Sequence, residues 1–177
     1  MDGGGSGREP RHDDGVLRLE EHYVALRGVL HRYLRSMVGG AADDVASQVW
    51  TEATAGFESF TGDAAAFRRW LFTIARRRVI DHRRRWWQRR VVLRGAPVEQ
   101  WAESGTDGPA GDLSAALALI GRLPQSHSDV VLLRVIAGLT AADVAEITGR
   151  SPETVRVMQH RALSTLASIL AAEVNDA

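Results

Sequence analysis

Apolar residues return at steps of three and four along most of this chain, the period of an amphipathic helix. Leu19, Tyr23, Leu26, Leu30, Tyr33, Leu34 and Met37 mark a first helix, and Gly39-Gly40 stop it. A second helix starts near Asp43, a suitable N-cap, and carries Val45, Val49, Trp50, Ala53 and Phe57 on one side. Thr61-Gly62-Asp63 makes a turn, with Asp63 as the next cap. The third helix is long, and Phe67, Trp70, Leu71, Ile74, Ala75 and Ile80 form its apolar stripe. Further helical segments run from Leu113 to Leu123, from Val130 to Ala137, from Thr140 to Thr148 and from Ser151 to about Leu170. Pro124, Gly138 and Gly149 close the first three of them. No stretch alternates with the period of two that marks a strand, so the pattern predicts an all-α fold.

Composition divides this helical chain into two small domains. Residues 1–15, rich in Gly and charge, are expected to form a disordered arm. Residues 16–94 form a first domain and residues 113–171 a second, followed by a tail over 172–177. Between the domains, residues 95–112 contain Pro, Gly, four acids and no basic residue, the composition of a flexible acidic linker. The formal net charge is zero, but residues 16–94 carry 15 Arg against 8 acids, a surplus of seven. That asymmetry points to a part that binds a polyanion. The linker could fold back on the basic part and compete with nucleic acid for it. With no cysteine, disulfides and thiolate metal sites are excluded. No apolar run approaches the roughly 20 residues that cross a bilayer, and the N-terminus lacks the apolar core of a signal peptide. A cytoplasmic protein without membrane insertion or cofactor is the expectation.

Residues 140–166, TAADVAEITGRSPETVRVMQHRALSTL, have the signals of a helix-turn-helix. Thr140 and Asp143 form a variant capping box, Gly149 suits a left-handed helix end, Ser151 is an N-cap and Pro152 takes the first helical position. In this geometry the second helix enters the major groove by its N-terminal turns. At about 100° per residue, Val155, Met158, Ala162, Leu166 and Ile169 face the core. Glu153, Arg156, Val157, His160 and Arg161 lie on or flank the opposite side and are the candidates for DNA contact. Arg156 suits bidentate reading of guanine and Val157 contact with a thymine methyl. Ser151 and Thr154 suit phosphate. Gln159 points nearer the core. His160 has no second ligand at metal spacing.

Residues 67–94 hold 11 Arg and one Asp. Arg69, Arg76 and Arg83 are spaced by two turns and form one stripe, with Trp70, Arg77 and Arg84 beside it. Arginine stripes bind phosphates through charge and counterion release. Trp86 and Trp87 stand among these charges, where rings suit unstacked bases. Together they point to melted nucleic acid as well as duplex.

The pairing of ADDVASQVWTEA and FRRWLFTIARRRVIDHRRR with LPQSHSDVVLLRVIAGLTAADVAEITGRSPETVRVMQHRAL resembles the extracytoplasmic-function sigma factors, over about residues 16–170. The resemblance implies a DNA-binding subunit that directs core RNA polymerase to promoters. It implies that the helix around Asp43–Glu52 docks on the beta-prime clamp, through Asp44, Gln48 and Glu52, with Val49 and Trp50 as packing. It implies that the turn from Thr61 through Gly62 and Asp63 to Ala66 holds a flipped base of the minus-ten element. The arginine helix would hold the melted strand. The last helix would read the minus-thirty-five element and meet the beta flap. The linker would thread polymerase channels, and the family usually has an anti-sigma partner. This chain has Ser47-Gln48 where the family often has Gln-Glu, and Arg77 where it often has Asn.

Two other classes compete with this expectation. A free-standing helix-turn-helix regulator would need a sensor or dimerisation domain, and the arginine helix is neither. An enzyme such as a recombinase would need a clustered acid, base or nucleophile, and no such cluster, Gly-rich phosphate loop or metal motif is visible.

Overall fold

In a computed structural model of the chain, residues 12–92 and 111–175 are described, with side chains over 18–88 and 115–172. All regular elements among them are helical. The first half consists of α1 (His12–Val38), α2 (Ala42–Gly56) and α3 (Ala64–Val92). The second consists of α4 (Gly111–Gly121), α5 (Gln125–Val131), a π-helical segment (Leu132–Ile136), α6 (Ala141–Thr148) and α7 (Pro152–Asn175).

Leu26, Leu30, Tyr33, Leu34 and Met37 of the expected α1 stripe are buried, whereas Leu19 is half-buried and Tyr23, expected in the core, is 43% exposed and lies against Trp50. The helix begins at His12, inside the stretch 1–15 expected as an arm. Asp43 is not the cap of α2: the helix starts at Ala42 after Ala41, with no side-chain cap bond. Asp43 and Asp44 instead lie in the first turn, where carboxylates suit the positive helix end, and Asp43 lies 3.1 Å from the His31 ring. Val45, Val49 and Ala53 of α2 are buried.

Asp63 does cap α3, accepting the Ala66 N–H at 2.8 Å. Just before it, Gly62 has φ 154, and a Cβ there would lie 2.8 Å from Ala66 Cβ and 3.0 Å from the Phe60 ring. The turn can therefore close only on glycine. The buried face of α3 is wider than the expected stripe, taking in Phe67, Leu71, Phe72, Ile74, Ala75 and Val79. Two neighbouring helices, α1 and α2, cover it. Ile80 lies about 80° beyond Phe72 around the helix, outside that arc. It is accordingly 46% exposed, a departure from its expected core position.

In the second half, α5 begins at Gln125, earlier than the apolar run from Val130. Its first turn, QSHSD, is polar and hides the period, but Ser128 and Asp129 are buried. The Ser128 hydroxyl donates to the Ile120 carbonyl at 2.8 Å, satisfying an orphan acceptor near the end of α4. The corner between α6 and α7 forms as its sequence dictates. Asp143 N–H donates to Thr140 Oγ1 at 3.1 Å and Thr140 N–H to Asp143 Oδ2 at 2.9 Å, a closed capping box. Gly149 ends α6 at φ 67, ψ 33, and Ser151 Oγ accepts the Thr154 N–H at 3.1 Å. Val155, Met158 and Ala162 bury one side of α7.

The two halves are in contact: α1 packs on α4 and the π-helical segment, and α3 packs on α6. Their buried side chains form one continuous cluster. The acidic stretch between them, including the proposed fold-back, lies outside the described residues over 93–110.

Candidate nucleic-acid interface

The arginines of α3 do not all project into solvent. Arg69 Nη1 lies 3.4 Å from Asp143 Oδ1, and its Nε 3.5 Å from Glu146 Oε2. Arg76 Nη1 donates to the Ile147 carbonyl at 3.3 Å, and its Nε lies 3.7 Å from Asp129 Oδ2. Arg83 donates to the Met37 carbonyl at 2.8 and 3.2 Å and ties α3 to the end of α1. Arg77 and Arg78 both reach Glu52 of α2, Arg78 at 2.7 and 3.0 Å. Arg84 is exposed. Trp87 is 45% exposed, and Trp86, half-buried beside it, meets it edge to face at 5.4 Å. The rings and Arg84 stand at the open end of the helix, while Arg69 and Arg76 face the second half.

Burial sets the electrostatics of this region. It pushes the Asp129 carboxyl up, against the pull of Arg76, Arg83 and a hydrogen bond from Gln125. It also pulls the Arg83 guanidinium down, which Asp129 and Tyr33 oppose. At Asp143, burial works upward as well, but hydrogen bonds from the Thr140 hydroxyl and N–H, with Arg69, outweigh it and hold the carboxyl below its ordinary range.

On α7, Ser151, Glu153, Thr154, Arg156, Val157, His160 and Arg161 are all exposed. Glu153, Arg156, Val157, His160 and Arg161 project from or flank the side opposite Val155, Met158 and Ala162, as the helical angle predicts, while Ser151 caps the helix and Thr154 lies in its first turn nearer the core side. Gln159 turns inward and accepts from Arg134 Nε at 2.9 Å. The loop residues Thr61, Gly62 and Asp63 are exposed, beside a ring cluster in which Phe60 stacks on Trp70 at 5.2 Å. On α2, Asp44 and Gln48 are exposed, Val49 is fully buried and Trp50 is half-buried, edge to face with Tyr23 at 4.8 Å. Glu52 is half-buried between its two arginines.

The residues that the sequence pattern passed over are Arg68, Arg78, Asp129 and Glu146. Each has the look of a solvated charge, and its partner is distant in sequence: Arg68 Nη1 donates to the Ala137 carbonyl at 3.0 Å across 69 positions. Among the described residues, no group of three His, Cys, Asp or Glu could hold a metal ion. No described helix is long and apolar enough to cross a membrane.

Two family models match the chain, Sigma-70 region 2 over residues 19–90 and Sigma-70, region 4 over residues 113–166. The ECF RNA polymerase sigma factor BldN of Streptomyces coelicolor is 31% identical over 163 residues, which take in 89% of this chain and 61% of that protein. ShbA of Streptomyces griseus, also an ECF sigma factor, is 31% identical over 164 residues, 86% of this chain and 85% of that one. SigD of Mycobacterium tuberculosis is 30% identical, over 84% of this chain and 74% of that one. Among solved structures, the fold is similar to the sigma factor RpoE in complex with the anti-sigma factor NepR from Bartonella quintana, with a TM-score of 0.73 and 21% identity over 87% of this chain and 97% of that one. CnrH in complex with the cytosolic domain of CnrY gives a TM-score of 0.63 at 22% identity, over 89% of this chain and 90% of that one.

Proposed function

The chain belongs to the ECF RNA polymerase sigma factors, and from that footing we propose that it binds core RNA polymerase, directs it to promoters and helps to melt them. It acts in the cytoplasm as an initiation factor, without catalysis of its own. The family relation favours this over a free-standing regulator that binds DNA without polymerase.

The work divides between the halves. In the second half, Arg156, Val157 and their neighbours Glu153, His160 and Arg161 meet base edges of the minus-thirty-five element, while Ser151 and Thr154 hold phosphate. In the first half, Thr61, Gly62 and Asp63 take a flipped base of the minus-ten element. Arg77, Arg84, Trp86 and Trp87 hold the melted strand, with Arg69, Arg76 and Arg83 on the same helix. Asp44 and Gln48, on the open rim of α2, meet the polymerase clamp, backed by Val49, Trp50 and Glu52. The beta flap meets the second half. An anti-sigma factor is a further partner, as for the RpoE named above.

The observation that carries this reading is the α7 face, where Glu153, Arg156, Val157, His160 and Arg161 stand exposed directly after a closed cap and turn. The test is transcription by core polymerase reconstituted with this protein, with the transcript 5′ ends sequenced across a genomic library. New start sites that share two upstream elements are expected. Start sites no different from those of core polymerase alone would refute the proposal.

A further inference from the structure

Between the two halves lies a cavity of about 470 Å³, the size of a small-molecule site. Arg76, Val79, Ile80 and Arg83 of α3 line one side of it, and Asp129 of α5 and Arg150 are on the other. Neither the reading face of α7 nor the Thr61–Asp63 turn takes part in it.

The charges around this cavity do not balance. Three guanidiniums meet one carboxylate, a surplus of two. The carboxylate, Asp129, is buried and already takes a bond from Gln125 at 3.3 Å. Arg76 Nε lies 3.7 Å from it, too far for a hydrogen bond, and that nitrogen is buried without another partner. The bond from Arg76 Nη1 to the Ile147 carbonyl is also long, at 3.3 Å, so this guanidinium is loosely held and can turn to a better acceptor. Arg83 directs Nε and Nη2 to the Met37 carbonyl, a neutral acceptor. Arg150 is exposed, and its N–H bonds to the Ala145 carbonyl at 3.0 Å, which fixes it just past Gly149. Among the described residues its guanidinium makes no hydrogen bond or salt bridge, and it acts on Asp129 only through space.

Positive charge gathered in a partly desolvated cavity gains more from a counter-charge than a solvated surface does. A phosphate monoester, with a charge of about −1.5 to −2 at neutral pH, matches the surplus, and guanidiniums fork onto its oxygens. The apolar lining indicates what else such a ligand carries. Val79 is fully buried, while Ile80 is left 46% exposed by the packing of α3. In the cavity Ile80 offers apolar surface beside the arginines, and a ring resting on it sets an attached phosphate among them.

We propose that this cavity binds a small phosphorylated molecule of about nucleotide size, its phosphate held by Arg76, Arg83 and Arg150 and its apolar body seated on Ile80. Binding there needs neither polymerase nor promoter. Arg150 and Ile80 take no part in the DNA contacts assigned above, so the site is tested apart from transcription.

The test uses the full chain at low salt. Isothermal titration calorimetry reads binding of adenosine 5′-monophosphate, adenosine and inorganic phosphate, and the NMR signal of the Ile80 δ1 methyl reads where the ligand sits. Saturable binding of the monophosphate is expected, about tenfold tighter than either fragment, with a shift of the Ile80 methyl. Arg150→Ala should weaken it about tenfold, and Ile80→Ala should narrow the gap between the nucleotide and inorganic phosphate. Circular dichroism checks that helix content is kept; if Arg150→Ala loses it, Ile80→Ala, at a part-exposed position, decides. Binding unchanged in Arg150→Ala, an unmoved Ile80 methyl, or no saturable binding at millimolar nucleotide would overturn the site. Adenosine binding as tightly as its monophosphate would overturn phosphate recognition, and inorganic phosphate binding as tightly as the nucleotide would overturn the apolar seat. Displacement of the nucleotide by an equal concentration of a short mixed-sequence single strand would assign the arginines to strand phosphates and overturn the small-molecule site.

Discussion

His22 lies face to face on Phe67, with ring centroids 4.2 Å apart and 10° between the planes. Phe67 is fully buried, so the imidazole lids the ring cluster beside the Thr61–Asp63 turn. Burial lowers its pKa below the ordinary 6.5, and Arg18 adds to this against a smaller opposing effect of Glu21. The unfolded chain therefore binds this proton more readily than the folded one. Stability is expected to fall as pH drops below 6.5 and to level off once the folded pKa is passed. His22→Phe keeps a ring on Phe67 and should flatten that part of the profile. Melting temperatures of parent and variant between about pH 7.5 and 5 check this, and equal slopes would remove His22 as the cause.

Glu52 is the joint between α2 and α3, receiving Arg78 through two bonds and Arg77 through another. Glu52→Gln removes the charge and leaves two guanidiniums competing for one amide oxygen. The side chains of Glu52 and Arg78 are 27% and 29% exposed, so the loss is expected at about 1–2 kcal/mol, discounted for solvent. Urea unfolding measures it. A variant of unchanged stability but reduced affinity for core polymerase would instead make Glu52 a direct polymerase contact.

Arg156 stands exposed near the start of α7, two positions before the buried Met158. If it reads a guanine, Arg156→Ala costs about 1–3 kcal/mol of promoter affinity and relaxes preference at one upstream position. The base profile of transcripts initiated by the variant holoenzyme shows which. A uniform loss across sequences would make Arg156 a phosphate contact.

The corner between α6 and α7 was legible because each of its signals acts within a few residues. Thr140 bonds Asp143, Gly149 turns back onto Ala145, and Ser151 bonds Thr154. The exposed face of α7 follows from helical angle alone once Val155 is taken as core. Where a choice depended on neighbours, the pattern fell short. Ile80 is apolar yet lies past the arc that α1 and α2 cover, and Asp43 sits one residue inside its helix because Ala41 and Ala42 already continue the turn from Gly39. The polar first turn of α5 concealed a helix that buries Ser128 and Asp129. The contact between the two halves had no sequence signal. Arg69 and Asp143 are 74 positions apart, and only the packing of α3 on α6 makes them neighbours.

Asp143 divides its two oxygens between two tasks. Oδ2 takes the N–H and hydroxyl of Thr140 and starts α6, while Oδ1 faces Arg69 of the other half. One carboxylate thus belongs both to the rigidity of the α6–α7 corner and to its attachment. The two are thermodynamically linked, and linkage is reciprocal. Whatever orders the first turn of α6 holds this carboxylate ready for Arg69, and whatever draws Arg69 away leaves that turn with only its local bonds. A strand bound on α3 would then be felt, weakly, as a loosening at the foot of the helix-turn-helix, though no nucleotide touches it.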